Sequence, residues 1–267
     1  MPPIIHCIRH GQGFHNVGAG AYTLRDPDLT PLGLGQSTIL RDTSFTNQSK
    51  ISLVIASPLQ RTLHTAFSIF KPALTSGGKC APRILALQDI QETSDDLCDI
   101  GPDVCSLQVL VERNEWPVDL SLVQEGWNVK DWGSRYSPHS DAITARARDA
   151  RLGLRKIVRD LVNQGDEDVH VAIVTHGSFL HFFTDDWEDA WTYPATGWRN
   201  CETRSYIFEE DFMDDGDMEA RLVETGESRA KRGKGYPMFG RERQPGFFES
   251  AMQEWEKQGL QRPDKVE

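Results

Sequence analysis

Short runs of aliphatic and β-branched residues alternate along this chain with longer segments in which apolar residues recur at the spacing of an α-helix. The short runs predict strands at residues 4–8, 53–56, 84–87, 169–175, 204–208 and 219–224. The longer segments predict helices at 31–40, 59–70 and 141–162, a helix that begins at Ser178, and a terminal helix at 247–258. This alternation is typical of an α/β protein and predicts a three-layer α/β/α sandwich around a mostly parallel central sheet.

Two of the helices are preceded by the same start signal. Thr30-Pro31 and Ser57-Pro58 each place a hydroxyl side chain at the N-cap position and a proline at the first helical position. We therefore expect both helices to begin at these prolines.

The middle and the end of the chain depart from this pattern. Residues 89–132 contain Pro, Gly, Cys and Trp with weak periodicity, which predicts an insertion folded over an edge of the sheet and shaping a substrate pocket. An acidic run at 209–219 and a basic run at 229–234 make the following region polar, and we expect much of it to be mobile and solvated. The predicted organisation is a single domain over 1–225 and a polar C-terminal extension over 226–267.

The composition indicates a folded protein with an acidic surface. Of the 267 residues, 38% are hydrophobic, which supplies enough apolar surface for a sizeable core. The 29 Lys and Arg against 40 Asp and Glu give a formal net charge of -11, which repels phosphate backbones and anionic lipid heads. We expect no nucleic-acid partner. No run approaches the roughly 20 apolar residues that span a bilayer, so we expect no membrane partner either.

The cysteines and the first residues bear on the cellular compartment. Five cysteines without tight spacing disfavour a disulfide framework and predict reduced thiols, although Cys98 and Cys105 are close enough in sequence to pair across a loop. The first residues lack the basic and long apolar regions of a secretory signal. The sequence therefore predicts a cytoplasmic protein, and it does not indicate an oligomeric state.

Four motifs rich in polar residues and glycine follow one another along the chain. They are Arg9-His10-Gly11-Gln12-Gly13-Phe14-His15-Asn16, Leu29-Thr30-Pro31-Leu32-Gly33-Leu34-Gly35-Gln36, Ser57-Pro58-Leu59-Gln60-Arg61-Thr62 and Val174-Thr175-His176-Gly177. In the first and the last motif, a predicted strand is followed by His-Gly. Because open α/β folds bind ligands at the carboxyl ends of their strands, we expect both histidines at one edge of the sheet.

Taken in this order, the motifs resemble those of the histidine phosphatase superfamily, also called the phosphoglycerate-mutase-like family. The resemblance covers the chain from Ile4 to about Gly177. The stretch with Gly13, His15 and Asn16 is most similar to the phosphatase branch found in fungi and plants. The resemblance implies a phosphoglycerate-mutase-like fold and a phosphorylated small molecule as the substrate.

The resemblance also implies roles for individual residues. His10 would be the nucleophile that is phosphorylated, and Glu92 in Gln91-Glu92-Thr93-Ser94 would be the proton donor. The residues expected around the phosphoryl group are Arg9, Asn16, Arg61, His176 and Gly177. Asp95, Asp96 and Glu125 remain alternatives to Glu92.

The chemistry of phosphoryl transfer explains why these residue types suit one another. The transferred group spreads negative charge over three oxygens, so catalysis depends on fixed cations such as Arg9 and Arg61. His10 offers a neutral lone pair if its other ring nitrogen donates to a backbone carbonyl. The leaving alkoxide needs a proton, and a carboxylic acid with a raised pKa, such as Glu92, can supply it.

Three functions remain open at this point. The first is a metal-independent phosphatase that acts on a small phosphorylated metabolite through a phosphohistidine. The second is a phosphoryl-transfer mutase, although the chain has Gly13 where phosphoglycerate mutases have serine in Arg-His-Gly-x-Ser-x-x-Asn. The third is a non-phosphatase enzyme or anion-binding module that reuses the pocket. The unprotonated histidine that the resemblance implies favours catalysis over binding alone.

No cofactor is expected. His6, His10 and His15 lack the helical spacing or paired cysteines of common zinc sites, and the glycines do not form a dinucleotide-binding fingerprint. Six tryptophans are expected to pack beneath the insertion: Trp116, Trp127, Trp132, Trp187, Trp191 and Trp198. The aromatic residues of the insertion predict an apolar wall to the pocket. The identity of the substrate is not readable from the sequence.

Overall fold

The architecture is an α/β/α sandwich, seen in a computed structural model that describes residues 1–18, 20–192 and 196–266. The strands are β1 (Ile4–Arg9), β2 (Ile51–Ala56), β3 (Ile84–Ala86), β4 (Val118–Asp119), β5 (His170–Thr175), β6 (Thr203–Phe208) and β7 (Leu222–Glu224). They form one sheet in the order β4-β3-β2-β5-β1-β6-β7. All neighbouring strands from β4 to β1 pair in parallel, whereas β6 runs antiparallel to β1 and to β7. The prediction of a mostly parallel sheet is confirmed.

Helices cover both faces of this sheet. They are α1 (Pro31–Ser44), α2 (Gln60–Thr75), α3 (Val104–Arg113), α4 (Ser140–Asn163), α5 (Gly177–Thr184), α6 (Gly226–Lys231) and α7 (Gln244–Lys257). Successive residues of a strand point to opposite faces, so each buried strand contributes side chains to two hydrophobic cores, one on each face of the sheet. Ile55 and Ile173 pack with α4, α5 and α7, while Val54 and Val174 pack with α1, α2 and α3. The three predicted layers are therefore present.

The register of the central strands brings the two His-Gly motifs together. Arg9 of β1 is aligned with Thr175 of β5, and the His10 amide donates to the Thr175 carbonyl at 2.9 Å. His10 and His176 consequently leave the sheet side by side, with their ring centroids 5.3 Å apart. The predicted placement of both histidines at one edge is confirmed.

The two predicted helix starts have different outcomes. Thr30 caps α1 as expected, since its side chain accepts from the Gly33 amide at 3.1 Å. The prediction for Ser57-Pro58 is wrong, because α2 begins at Gln60 after an N-cap residue, Leu59, that makes no side-chain cap bond. The Ser57 hydroxyl instead contacts His176 Nε2 at 2.8 Å.

The irregular middle of the chain lies at the β4 edge of the sheet. Helix α3 and strand β4 belong to the segment 89–132, and β4 adds a short parallel strand beside β3. The first part of the segment, from Glu92 to Asp99, lies beyond the carboxyl end of β3, near the two histidines. The insertion therefore extends the sheet at one end and lines a cavity at the other.

The polar C-terminal region is more ordered than the sequence predicts. Ala251, Met252 and Trp255 of α7 are almost fully buried and belong to the same core as α4 and α5. The expectation of a largely mobile tail is wrong for residues 226–266, because α7 presents an apolar face that the charge pattern conceals. Glu267 lies outside the described residues. The division of the chain at residue 225 stays a prediction.

Several side-chain expectations are settled by burial. Trp116 and Trp127 are buried in the core beneath the insertion, as predicted, whereas Trp187 and Trp198 are buried in the other core, with α5 and α7. Trp132 is 66% exposed, so the packing role predicted for it is wrong. All five cysteines are described and free. Among the described residues, no helix is both long enough and apolar enough to cross a membrane.

Candidate active site

A small cavity opens where β1 and β5 end. Its volume is about 80 Å³. Six of the residues that line it are Arg9, His10, His15, Asn16, Glu92 and Gly177. Five of these six were predicted to be site residues from the sequence, and β1, β5 and the loop after β3 bring them together.

His10 is held as a neutral imidazole with one free nitrogen. Its Nδ1 lies 2.7 Å from the Gly11 carbonyl oxygen, so Nδ1 carries the proton and donates it to this acceptor. The ring is 1% exposed, and burial together with Arg61, Arg9 and His15 lowers the pKa of His10 well below its ordinary value. His10 Nε2 therefore keeps an unprotonated lone pair, which is the form that a nucleophile requires.

His176 and Arg61 lie behind His10. Arg61 Nη2 donates to His176 Nδ1 at 3.2 Å, which leaves His176 Nε2 to donate its proton to the Ser57 hydroxyl at 2.8 Å. Burial followed by the Arg61 charge lowers the pKa of His176. Arg61 is fully buried and also donates to Asp99 Oδ1 and to the Cys98 carbonyl, both at 2.7 Å. Neither Arg61 nor His176 lines the cavity, so their predicted contact with a phosphoryl group stays a prediction.

Arg9 is a buried cation that pairs with no carboxylate among the described residues. Its side chain is 8% exposed, Nη1 donates to the Trp198 carbonyl, and Nε has no hydrogen-bond partner among the described residues. Burial lowers the pKa of Arg9, while Glu92 opposes that shift. A buried charge of this kind is unfavourable unless a counter-charge joins it, and the guanidinium geometry suits a phosphate.

Glu92 faces the same cavity from the loop after β3. Its Oε1 accepts from the amides of Thr93 and Phe179, both at 3.0 Å, which places the carboxylate at the N-terminus of α5. Burial and the nearby Asp99 raise the pKa of Glu92, and Arg61 opposes this effect. A carboxyl group with a raised pKa is suited to act first as an acid and then as a base.

Two buried cations hold the Glu92 loop by its backbone. Lys130 Nζ donates to the carbonyls of Glu92 and Ser94 at 2.7 and 2.6 Å. Arg146 of α4 donates to the carbonyls of Asp89, Gln91 and Glu92 at 2.7, 2.8 and 3.1 Å. Burial lowers the pKa of Lys130 to about 8. The sequence analysis missed both residues, since a lysine in an irregular loop and an arginine in a charged helix carry no motif.

Asn16 and Gly177 have local roles that explain their positions. Asn16 Oδ1 accepts from the Gly13 amide at 3.0 Å, so the motif loop folds back on itself and the other end of the Asn16 amide remains available. A Cβ atom on Gly177 would lie 2.3 Å from Thr196 Oγ1 and 3.2 Å from Arg9 Nε. Only glycine therefore allows Arg9 to approach the start of α5 so closely.

His15, Ser57 and Asp99 complete the site, and none of them was assigned a role from the sequence. His15 is 8% exposed, its ring centroid lies 5.3 Å from that of His10, and burial lowers its pKa well below the ordinary value. Its place beside Asn16 in the first motif was the available signal. Ser57 also lies within a motif, but the sequence analysis assigned its hydroxyl to capping the backbone of the following helix.

The rivals to Glu92 are less favourably placed. Asp96 lines the cavity but is exposed, and Asp95 accepts from Gln261 Nε2 at 2.6 Å on an exposed loop. Glu125 is exposed and lines a different cavity, with Arg135 and Tyr136. Over the described part of the chain, no three His, Cys, Asp or Glu residues are grouped so that they could hold a metal ion.

Comparison with known proteins agrees with this geometry. The family model described as histidine phosphatase superfamily (branch 1) matches residues 5–74, which include His10 and Arg61. A phosphoglycerate mutase-like protein of Arabidopsis thaliana is 28% identical over 259 residues, which cover 83% of this chain and 88% of the relative. A probable phosphoglycerate mutase of Arthroderma benhamiae is 29% identical over 198 residues, which cover 64% of this chain and 54% of the relative.

A solved structure shares the fold. The ecdysone phosphate phosphatase from Bombix mori, crystallised in complex with tungstate, superposes with a TM-score of 0.51 at 14% identity. The match covers 76% of this chain and 88% of that one. With the His-Gly motifs at adjacent strand ends, the family-model match over residues 5–74 and the plant and fungal relatives, the chain is similar to members of the histidine phosphatase superfamily.

Proposed function

We propose that the protein is a phosphatase that hydrolyses a small phosphate monoester through a phosphohistidine on His10, without a metal ion. The observation that carries this proposal is the free Nε2 of His10. Nδ1 is committed to the Gly11 carbonyl, the ring is kept neutral by burial and by two arginines, and the cavity lies in front of it. A module that only binds anions has no need for an unprotonated histidine in this position.

In the first half of the proposed reaction, His10 Nε2 attacks the phosphorus atom of the monoester. The bond between phosphorus and the ester oxygen breaks, and its electron pair stays on the departing oxygen. That oxygen takes a proton from the carboxyl group of Glu92, whose raised pKa favours the protonated form. The products of this half-reaction are the free alcohol, the Glu92 carboxylate and phosphohistidine.

In the second half, water replaces the alcohol. The Glu92 carboxylate takes a proton from the water molecule as its oxygen attacks phosphorus, and the bond from phosphorus to His10 Nε2 breaks. Inorganic phosphate leaves, and both side chains return to their starting protonation states. One residue thus serves as acid and then as base.

The charges around the cavity support an anionic substrate. Arg9, Lys130 and Arg146 are buried, and their hydrogen-bond partners are backbone carbonyls rather than carboxylates. Of these three cations only Arg9 lines the cavity, together with the carboxyl groups of Glu92, Asp96 and Asp99. Because the side-chain hydrogen bond of Arg9 goes to a neutral carbonyl, a phosphate in the cavity would supply its counter-charge through a charge-assisted pair.

The proposal is tested by measuring inorganic phosphate release from a panel of phosphate monoesters, with a chelator present throughout. Rapid mixing and acid-free quenching would trap the phosphoprotein, which should be labile in acid and stable in alkali. We expect release and labelling by the natural chain and neither by His10→Ala. Transfer of the phosphoryl group between positions of one substrate, without net release, would identify a mutase. Phosphate release by His10→Ala at the natural rate would refute the phosphohistidine mechanism.

A further inference from the structure

The cavity at His10 has room for little beyond a phosphoryl group. Its volume is about 80 Å³, while sites that enclose whole drug-sized ligands have volumes of about 300–1,000 Å³. The alcohol part of a monoester bound at His10 must therefore lie at the cavity mouth. The side chains at that mouth decide which alcohols are accepted.

Five exposed apolar side chains lie in, or directly after, turns that contribute residues to this cavity, and we call them the apolar rim. They are Phe14, Val17, Tyr22, Leu24 and Leu97, each between 44% and 53% exposed. Single exposed apolar residues are common on proteins and need no explanation, but a cluster beside a ligand site does. The apolar rim contains a third of the fifteen large apolar side chains that are exposed in the described chain.

Three short 3-10 turns hold the apolar rim together. The turn Phe14–Asn16 packs against the turn Ala21–Thr23, which packs in turn against Leu97–Asp99. Each turn also contributes to the cavity, through His15 and Asn16, through Tyr22, and through Cys98 and Asp99. The same three turns therefore carry both the apolar rim and residues of the phosphoryl site.

The ionised groups nearest the mouth are mainly acidic. Asp96 lines the cavity, and Asp95 lies beside it on the loop that follows Ser94. Burial raises the pKa of Tyr22, and Cys98, Asp96 and Asp99 add to this rise, while Arg9 opposes it. A second anionic group on the substrate would meet repulsion here, whereas an uncharged apolar group would not.

A second, larger depression includes part of the same loop. It has a volume of about 580 Å³ and is lined in part by Asp95, the sequence neighbour of Ser94 and Asp96 in the cavity lining, and by the exposed side chains of Val129 and Trp132. Trp132, which the sequence analysis expected to be packed, is thus an exposed side chain that lines this depression. The charged residues that line the same depression are Arg25, Asp95, Lys130 and Asp131, two of each sign.

We propose that the substrate is a phosphate monoester of an apolar alcohol without a second anionic group, and that this alcohol packs on the apolar rim. This inference rests on the proposed function, because it takes His10 as the point where the phosphoryl group binds. It predicts discrimination against phosphoglycerates and bisphosphates, in which the carbon chain is short and carries further negative charge. The insertion was expected to give the pocket an apolar wall, and Leu97 of the apolar rim belongs to it, while the other four residues of the rim come from residues 14–24.

The test measures binding rather than turnover. The natural chain is titrated calorimetrically with methyl-, butyl-, hexyl- and octylphosphonate, which resemble monoesters but cannot be hydrolysed. We expect Kd to fall with each added methylene by about two- to fourfold, the upper value being that for complete burial. We also expect 3-phosphonopropionate to bind at least about tenfold more weakly than propylphosphonate, because its carboxylate meets the acidic mouth.

Matched variants locate the effect. Leu24→Ser combined with Leu97→Ser should flatten the dependence of Kd on chain length while leaving the Kd of methylphosphonate within about twofold, because neither residue lines the cavity. Val109→Ser and Ile39→Ser, at positions 58% and 64% exposed on α3 and α1, serve as controls and should leave the full dependence intact. A flat series in the natural chain, or a steep one that survives in the Leu24 and Leu97 variant, would overturn the inference.

The two proposals can fail separately. Phosphate release from monoesters together with a flat phosphonate series would support the proposed phosphatase and show that the apolar rim does not bind the alcohol. A steep phosphonate series without phosphate release from any monoester would keep the apolar rim and remove the proposed hydrolysis.

Discussion

Two pairs of histidines lie at opposite ends of the same two strands. His10 and His176 follow the carboxyl ends of β1 and β5, whereas His6 and His170 lie near their amino ends, and the ring centroids are 5.3 Å apart in both pairs. A serine hydroxyl supports one ring of each pair, Ser57 at His176 and Ser205 at His6. By spacing alone the two pairs are equivalent.

The surroundings of the two pairs are different. His6 Nε2 lies 3.0 Å from His170 Nδ1, so these rings satisfy one another and leave no nitrogen of His6 free. Burial, followed by His170, lowers the pKa of His6 to about 4. At the other end, the rings of His10 and His176 turn to separate partners, and His10 Nε2 faces a cavity that Arg9 and Glu92 also line. The reactivity proposed for His10 therefore depends on a free nitrogen beside fixed cations rather than on paired imidazoles.

The largest expected difference between the two ends is in catalysis. His10→Asn keeps an amide that can donate to the Gly11 carbonyl but removes the nucleophile, so kcat/KM should fall by about 10⁴-fold or more. His6→Asn should leave kcat/KM within about twofold. Steady-state phosphate release by both variants, with Tm measured alongside, makes the comparison. Equal losses in the two variants would show that the histidine pairs do not differ in function.

Glu92→Gln should have the next largest effect, about 10²- to 10⁴-fold on kcat/KM for alkyl phosphates. The loss should be small for an activated aryl phosphate, whose leaving group needs no proton. Because burial raises the pKa of Glu92 and the first step needs its protonated form, kcat/KM of the natural chain should fall as pH rises through that pKa. Glu92→Gln should lack this alkaline limb. If the pH profile of Glu92→Gln keeps the same alkaline limb, another acid is the proton donor, and Asp96 is the first candidate.

Lys130→Met tests one of the two buried cations that hold the Glu92 loop. Loss of two hydrogen bonds to this loop should misplace Glu92 and lower kcat by about 10- to 100-fold. Since the Lys130 charge lowers the pKa of Glu92, its removal should also move the alkaline limb to higher pH. Lys130→Arg keeps the charge and should restore the limb and part of the rate. A lower Tm without movement of the limb would indicate a structural role only.

The smallest effect is expected from the two serines. Ser57→Ala removes the acceptor of His176 Nε2 and should lower kcat/KM by up to about tenfold, the equivalent of one hydrogen bond. Ser205→Ala removes the corresponding partner of His6 and should lower stability by about 1 kcal/mol without affecting kcat/KM. Parallel kinetics and urea unfolding separate the two. A larger kinetic loss in Ser205→Ala than in Ser57→Ala would reverse the assignment of the functional end.

The sequence by itself determined the alternation of strands and helices, and with it the layered fold. It also determined that His10 and His176 follow strands, because β-branched runs end directly before both His-Gly pairs. Parallel pairing then places the two residues at one edge, whatever the details of packing. These features depend on local propensity and on period, which short stretches of chain carry in full.

Only the tertiary structure decided which partners the side chains find. Ser57 has the local signature of a helix cap, yet its hydroxyl serves His176, more than a hundred positions away. Lys130 and Arg146 reach the Glu92 loop from two distant segments, and α7 buries Trp255 in the main core although its neighbours are polar. The physical reason is that hydrogen bonds and burial join residues that are close in space, and separation along the chain does not enter their energy. Local pattern therefore predicts elements, while the pairing of buried polar groups is settled only when the elements pack.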